Sequence, residues 1–144
     1  MNQRQNSRGD ASSLVFVVDD EPMLLEMAAA ILQPAGFQVR VFGEPRQALA
    51  EFAAAQPPPA VLVTDYAMGD MSGLDLIREC KRLQPRQKTI LLSGTVDESI
   101  FANAPVKPDR FLAKPYQIGR LLEMVQTLAR EHAAAEGKAE SSRL

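Results

Sequence analysis

The stretch LVFVVDDEP, residues 14–22, decides the fold. Leu14 to Val18 is an unbroken apolar run rich in β-branched residues, the composition of a strand buried on both faces. It halts at Asp19-Asp20-Glu21, so its carboxylates stand at the strand's C-terminal end. Pro22 suits the first turn of a helix, and Leu24, Leu25, Ala28, Ala29 and Leu32 then recur at helical spacing until Pro34 and Gly36 end it. A buried strand feeding an amphipathic helix is one βα unit.

The same pattern repeats along the chain. Phe37 to Phe42 reads as a second strand, Pro45 opens a helix carrying Ala48, Leu49 and Phe52, and Pro57-Pro58-Pro59 stops it. Ala60 to Thr64 is a third strand, ending on Asp65, and Gly73 to Leu83 is a helix with Leu74, Leu76, Ile77 and Cys80 on its apolar side. Thr89 to Leu92 is a fourth strand, ending at Ser93-Gly94. Pro105 and Pro108 confine any helix in the next segment to Asp97–Asn103, which predicts a short or irregular fourth helix. Phe111 to Ala113 is a fifth strand ending on Lys114, and Ile118, Leu121, Leu122, Val125 and Leu128 mark a last helix over Gln117–His132. Five βα units predict an α/β fold, a doubly wound five-stranded parallel sheet with helices on both faces in three αβα layers. The expected organisation is an N-terminal tail over residues 1–12, one domain over 13–132 and a flexible C-terminal tail over 133–144.

At 144 residues and 46% hydrophobic content the chain suits one core, with no room for a second folded module. Sixteen basic against eighteen acidic residues give no net basic field, which disfavours direct nucleic-acid or membrane partners. Cys80 is the only cysteine, no apolar run is long enough to span a bilayer, and the N-terminus is polar. A cytoplasmic location is expected.

The predicted strand ends carry the chemistry. Strands one, three, four and five close on Asp19-Asp20, Asp65, Ser93 and Lys114, and ligands of doubly wound sheets bind beyond those ends. Carboxylates about 5 Å apart at an effective dielectric of about 20 repel by roughly 3 kcal/mol per pair, so a cation is expected among them. An all-oxygen ligand set with open positions suits Mg2+, with Mn2+ as the alternative. Asp20 is the principal expected ligand, with Asp19, Asp65 and the Ala67 backbone carbonyl completing the shell. Asp65 is the candidate nucleophile toward phosphorus, Lys114 the ammonium that pairs with it, and Ser93 a hydroxyl that donates to an arriving phosphoryl oxygen. Asp70 and Asp75 read as a turn residue and a first-turn helix charge, Cys80 as a packing thiol, and Phe52, Phe101 and the methionines as packing residues.

The blocks VVDDEP, VTDYAMGDMSG, LLSG and FLAKPY, in this order and each at a strand end, resemble the two-component response-regulator receiver domain over about Leu14 to Arg130. The resemblance implies a flavodoxin-like strand order of 2-1-3-4-5. It also implies phosphorylation of Asp65 by a sensor histidine kinase or a histidine phosphotransfer protein, in a magnesium-dependent phosphorelay. Lys114 matches the family's lysine, Pro115 the proline after it where a cis Lys114–Pro115 peptide is expected, and Ser93 the switch hydroxyl. Phe111 takes the place of the aromatic switch residue that is often tyrosine, so ring rotation is retained and a phenol hydrogen bond is not. Gly69 stands where proline is common.

The leading expectation is a phosphoryl switch that acts on a separate downstream protein, monomeric when unphosphorylated, with dimerisation on phosphorylation left open. No separate effector enzyme is expected. The alternative is a phosphorylation-independent adaptor with the receiver fold. A metal-dependent phosphatase is disfavoured because Asp65 is followed by Tyr66 and Ala67, not by the DxD nucleophile pattern.

Overall fold

The computed structural model describes residues 13–143, with side chains through residue 137; the expected tail over residues 1–12 lies outside the described residues. The strands β1 (Leu14–Val18), β2 (Gln38–Phe42), β3 (Val61–Asp65), β4 (Lys88–Ser93) and β5 (Arg110–Ala113) form one sheet. All pairings are parallel and the order is β2-β1-β3-β4-β5, as expected. Helices α1 (Pro22–Leu32), α2 (Pro45–Ala54), α3 (Gly73–Leu83) and α4 (Ile118–Arg143) flank it, and one 3-10 turn, Glu98–Phe101, lies between β4 and β5.

Strand periodicity sorts the core into two layers. Val15, Val17, Val61, Val63, Ile90 and Leu92 face Ala28 and Leu32 of α1 and Leu121, Val125 and Leu128 of α4. Phe16, Val18, Leu62 and Leu91 face Phe52 of α2, Leu76, Ile77 and Cys80 of α3, and Phe101. Each large aliphatic side chain so buried contributes about 1.5–3 kcal/mol. Phe16 packs on Phe42 with centroids 4.9 Å apart and meets Phe52 edge-on at 6.4 Å, which fastens β2 and α2 to the centre of the sheet.

The helix starts follow local chemistry. Proline occupies the first turn of α1 and α2. For α3, the Ser72 side chain accepts from the Asp75 N–H at 3.1 Å while the Asp75 carboxylate accepts from the Ser72 N–H at 3.2 Å, a reciprocal capping box. Asp75 is thus a cap as well as a first-turn charge. In the segment before β5 the prolines leave only the 3-10 turn, which Asp97 caps through the Ser99 N–H. Its Phe101 plugs the α3 side of the sheet and rests against Phe111, centroids 5.8 Å apart.

Two details differ from expectation. Helix α4 continues past His132 to Arg143. Ala133 to Glu136 are strong helix formers, and a single glycine, Gly137, costs only about 1 kcal/mol, so propagation survives the end of the amphipathic repeat. Met23 and Met27 do not pack: they are 70% and 44% exposed. Four residues apart, they share an outer stripe of α1, while Ala28 and Leu32 take the inward one.

Candidate functional site

Strand order reverses between β1 and β3, and their C-terminal ends frame the crevice where a doubly wound sheet holds its ligand. Asp65 is the last residue of β3, and Asp19-Asp20 directly follow β1. Asp19, Asp20 and Asp65 each bring a carboxylate oxygen within 4.8 Å of the other two. Asp19 and Asp65 are buried and Asp20 is exposed, so the cluster opens to solvent on the Asp20 side. Asp19 is fixed by its own backbone N–H on the Phe42 carbonyl at 3.1 Å and by the Glu21 N–H on its Oδ1 at 3.0 Å.

Lys114, the residue after β5, reaches back across the sheet end. Its Nζ lies 2.9 Å from Asp65 Oδ1, 3.2 Å from Asp19 Oδ2 and 3.8 Å from Glu21 Oε1. Its backbone N–H donates to the Ser93 carbonyl at 2.8 Å, so β4 sets where the lysine departs. The Lys114–Pro115 peptide is cis, as is Gln56–Pro57. Burial pushes the Asp65 carboxyl above its usual range; the Lys114 hydrogen bond opposes this, and the neighbouring Asp19 and Asp20 charges add to it. For Lys114, burial alone favours the neutral amine, but the bonds and charges of Asp65 and Asp19 outweigh it and hold the ammonium above the usual lysine range.

Ser93 ends β4 and is buried. Its hydroxyl oxygen accepts from the Thr95 N–H at 3.1 Å and the Val96 N–H at 3.0 Å, which ties the segment after β4 to the strand end. Phe111 lies on β5, half-buried against Phe101 of that same segment. Cys80 is fully buried, with its thiol pushed up to about 12 by burial, and takes no part in the site. Asp70 stands apart too, in an exposed pair with Arg46 at 3.3 Å.

Sequence reasoning passed over two contributors. Glu21 joins the carboxylates around Lys114, and its signal was its place in the acidic run. Gly73 is the other: a Cβ there would lie 2.2 Å from the Asp65 carbonyl oxygen, so the first turn of α3 abuts the backbone of Asp65 at a distance only glycine allows. The Gly73 N–H also donates to the Tyr66 carbonyl at 2.8 Å. A glycine opening a helix, where better helix formers abound, was the available clue.

The donor set fits a hard divalent cation. Asp19, Asp20, Asp65 and Glu21 set four carboxylates against one ammonium, so negative charge is in excess; every donor is oxygen, and the exposed Asp20 leaves room for water or phosphate oxygens. Next to the cluster, Leu24, Met27, Pro115 and Tyr116 form an apolar groove of about 320 Å3 that ends at Lys114.

Comparison with known proteins places these features in a family. The model of the response regulator receiver domain matches residues 15–126. The chain is 33% identical over 118 residues to the probable transcriptional regulatory protein TcrX of Mycobacterium tuberculosis, covering 81% of this chain and 49% of that protein. It is 27% identical to the chemotaxis protein CheY of Thermotoga maritima, covering 81% of this chain and 97% of that one. A crystal structure of a response regulator from Burkholderia pseudomallei with a phosphorylated aspartic acid, calcium ion and citrate superposes with a TM-score of 0.70 at 29% identity, covering 86% of this chain and 72% of that one. The chain spans about half the length of TcrX. No described helix is long and apolar enough to cross a membrane.

Proposed function

Because this chain belongs to the response regulator receiver domain family, in which phosphorylation on aspartate and magnesium binding at an acidic pocket are general, we propose that it accepts a phosphoryl group on Asp65 from a histidine kinase or a histidine phosphotransfer protein. The observation that carries the assignment is the Lys114 ammonium 2.9 Å from an Asp65 carboxylate that lies at the switch point beside two further aspartates. The Burkholderia protein with its phosphorylated aspartic acid supports the same chemistry.

The transfer balances simply. A carboxylate oxygen of Asp65 forms a bond to phosphorus as the P–N bond of the phosphohistidine breaks, and the leaving imidazole keeps the electron pair and takes a proton. Lys114 already pairs with one Asp65 oxygen, which leaves the other for attack. As carboxylate charge is lost to the acyl phosphate, the ammonium follows it onto a phosphoryl oxygen. Asp19, Asp20, Asp65 and the Ala67 carbonyl would hold magnesium, which when bound neutralises charge on the transferring oxygens. Ser93 donates its hydroxyl to a phosphoryl oxygen, and turning the side chain toward that oxygen strains the two bonds that it accepts from the Thr95 and Val96 amides, so the segment carrying Phe101, which rests on Phe111 of β5, responds.

The donor docks along α1, where Met23 and Met27 are exposed beside the groove that leads to Lys114. The output is contact with a separate protein through the segment after β4 and β5. The test is intact-mass analysis after incubation with acetyl phosphate and magnesium. One added phosphoryl mass is expected, absent in Asp65→Ala and in chelator. A folded, magnesium-bound protein that gains no mass would shift the assignment to a phosphorylation-independent adaptor.

A further inference from the structure

The end of the sheet opposite Asp65 carries a second polar cluster. Lys81, near the end of α3, donates to the Gln87 carbonyl at 2.7 Å and to Asp109 Oδ2 at 3.0 Å. The same Asp109 oxygen accepts from the Thr89 N–H at 2.8 Å and lies 3.1 Å from the Thr89 hydroxyl. Beside this network is a cavity of about 220 Å3, and Lys81, Arg86, Lys88 and His132 form much of its wall. That volume is far above the roughly 15 Å3 that one water needs.

The four groups come from α3, the loop after it, the start of β4 and helix α4. Their donors are largely uncommitted. An ammonium has three N–H bonds, and two of those of Lys81 are engaged. Arg86 and His132 make no hydrogen bond or ion pair among the described residues. Lys88 is held only by Glu131, at 3.5 Å. Of the acids on the wall, Asp109 is already committed to Lys81 and Thr89, and Glu136 is exposed. A protein of net charge −2 thus gathers three cationic side chains and an imidazole at one concave spot.

We propose that this cavity is a binding site for a small phosphate-class oxyanion, separate from the phosphoryl chemistry at Asp65. The guanidinium fork of Arg86 matches two phosphate oxygens, and the lysines add charge from other directions. Donors that converge from several elements favour a tetrahedral anion, with acceptors on every side, over a planar carboxylate. Free orthophosphate and a small phosphomonoester share this chemistry.

The full chain, metal-free in chelator and at constant ionic strength set with chloride, is titrated with inorganic phosphate and in a parallel arm with glycerol phosphate. Backbone amide resonances of Lys88, Thr89 and Asp109 report on the cavity, and those of Asp65 and Ser93 on the other end. Saturable shifts confined to the first group are expected, with affinity weakened about fivefold or more in Arg86→Gln and in His132→Gln. Neither side chain holds another part of the protein, so both variants keep the fold. The tighter of the two ligands identifies the source. Shifts that chloride reproduces, that fail to saturate, that appear only at Asp65 and Ser93, or that both variants leave unchanged would overturn the site.

Discussion

The two ends of the sheet treat their charges in opposite ways. At the end where β4 and β5 begin, the Asp109 carboxylate is met by Lys81 and by the Thr89 amide and hydroxyl, and the Asp109 N–H returns a bond to the Thr89 carbonyl at 3.1 Å. That acid is satisfied. At the other end three carboxylates share one ammonium, and Asp65 is pushed above its ordinary range by burial and by its neighbours. An acid whose needs are met within the chain contributes to stability. A cluster left short of positive charge gives up stability and is organised around something that arrives.

Removing a carboxylate should therefore move stability in opposite directions at the two ends. The largest expected effect belongs to packing: Gly73→Ala drives a methyl into the Asp65 carbonyl and should cost about 3 kcal/mol in denaturant unfolding, despite alanine's better helix propensity. An unchanged midpoint would show that α3 can slide away from the acidic end. Next comes Asp109→Ala, which leaves Lys81 and the Thr89 amide without their carboxylate and should cost about 2–3 kcal/mol while sparing magnesium binding.

Asp65→Asn should do the reverse, gaining about 1 kcal/mol in chelator at neutral pH, because relief of repulsion exceeds the weakened Lys114 bond. The pH dependence fixes the sign. A carboxyl whose folded pKa lies above its unfolded value of about 3.8 destabilises the fold when ionised, so the cost is full above the folded pKa and disappears as pH falls below the unfolded one. The gap in melting temperature between Asp65→Asn and the parent should close on acidification; a constant gap would mean that packing, not charge, separates them. Magnesium at ten times its Kd should stabilise the parent by about 1.4 kcal/mol, and Asp65→Asn by less.

The smallest effect is kinetic. Ala67, two residues after Asp65, offers no polar side chain to orient water, so the phosphorylated protein should lose its phosphoryl group slowly. Ala67→Asn should leave that decay unchanged or speed it, and a marked slowing would contradict the expectation.

Much of this contrast was legible in the sequence, but unevenly. β1, β3 and β4 appear where Val, Ile and Leu runs place them and β2 where apolar residues alternate, and Asp19 and Asp65 fall at strand ends because a strand buried on both faces has no place for a carboxylate in its middle. Asp19, Asp20 and Asp65 are brought together by strand order alone, whereas Lys114, two strands from β3, meets them only because its side chain reaches back across the end of β4. The closed end was not legible: Thr89 and Asp109 meet only because the segment after β4 folds back, and Lys81 joins them across 28 positions of sequence. Ser93 was visible as a residue at a strand end, whereas its grip on the Thr95 and Val96 amides depends on a turn that prolines farther along only partly dictate. Met23 and Met27 depart from the packing expected of them because hydrophobic character marks a stripe without saying whether a core lies beneath it.

The lone thiol of Cys80 offers an internal stopwatch. Fully buried between α3 and the sheet and protonated up to about pH 12, it is invisible to alkylating reagents while α3 stays docked. The helix it rides starts at Gly73, against the backbone of Asp65. Its labelling rate therefore times how often α3 lifts away, and comparing that rate before and after phosphorylation would report on the clock of the whole domain from a single native atom.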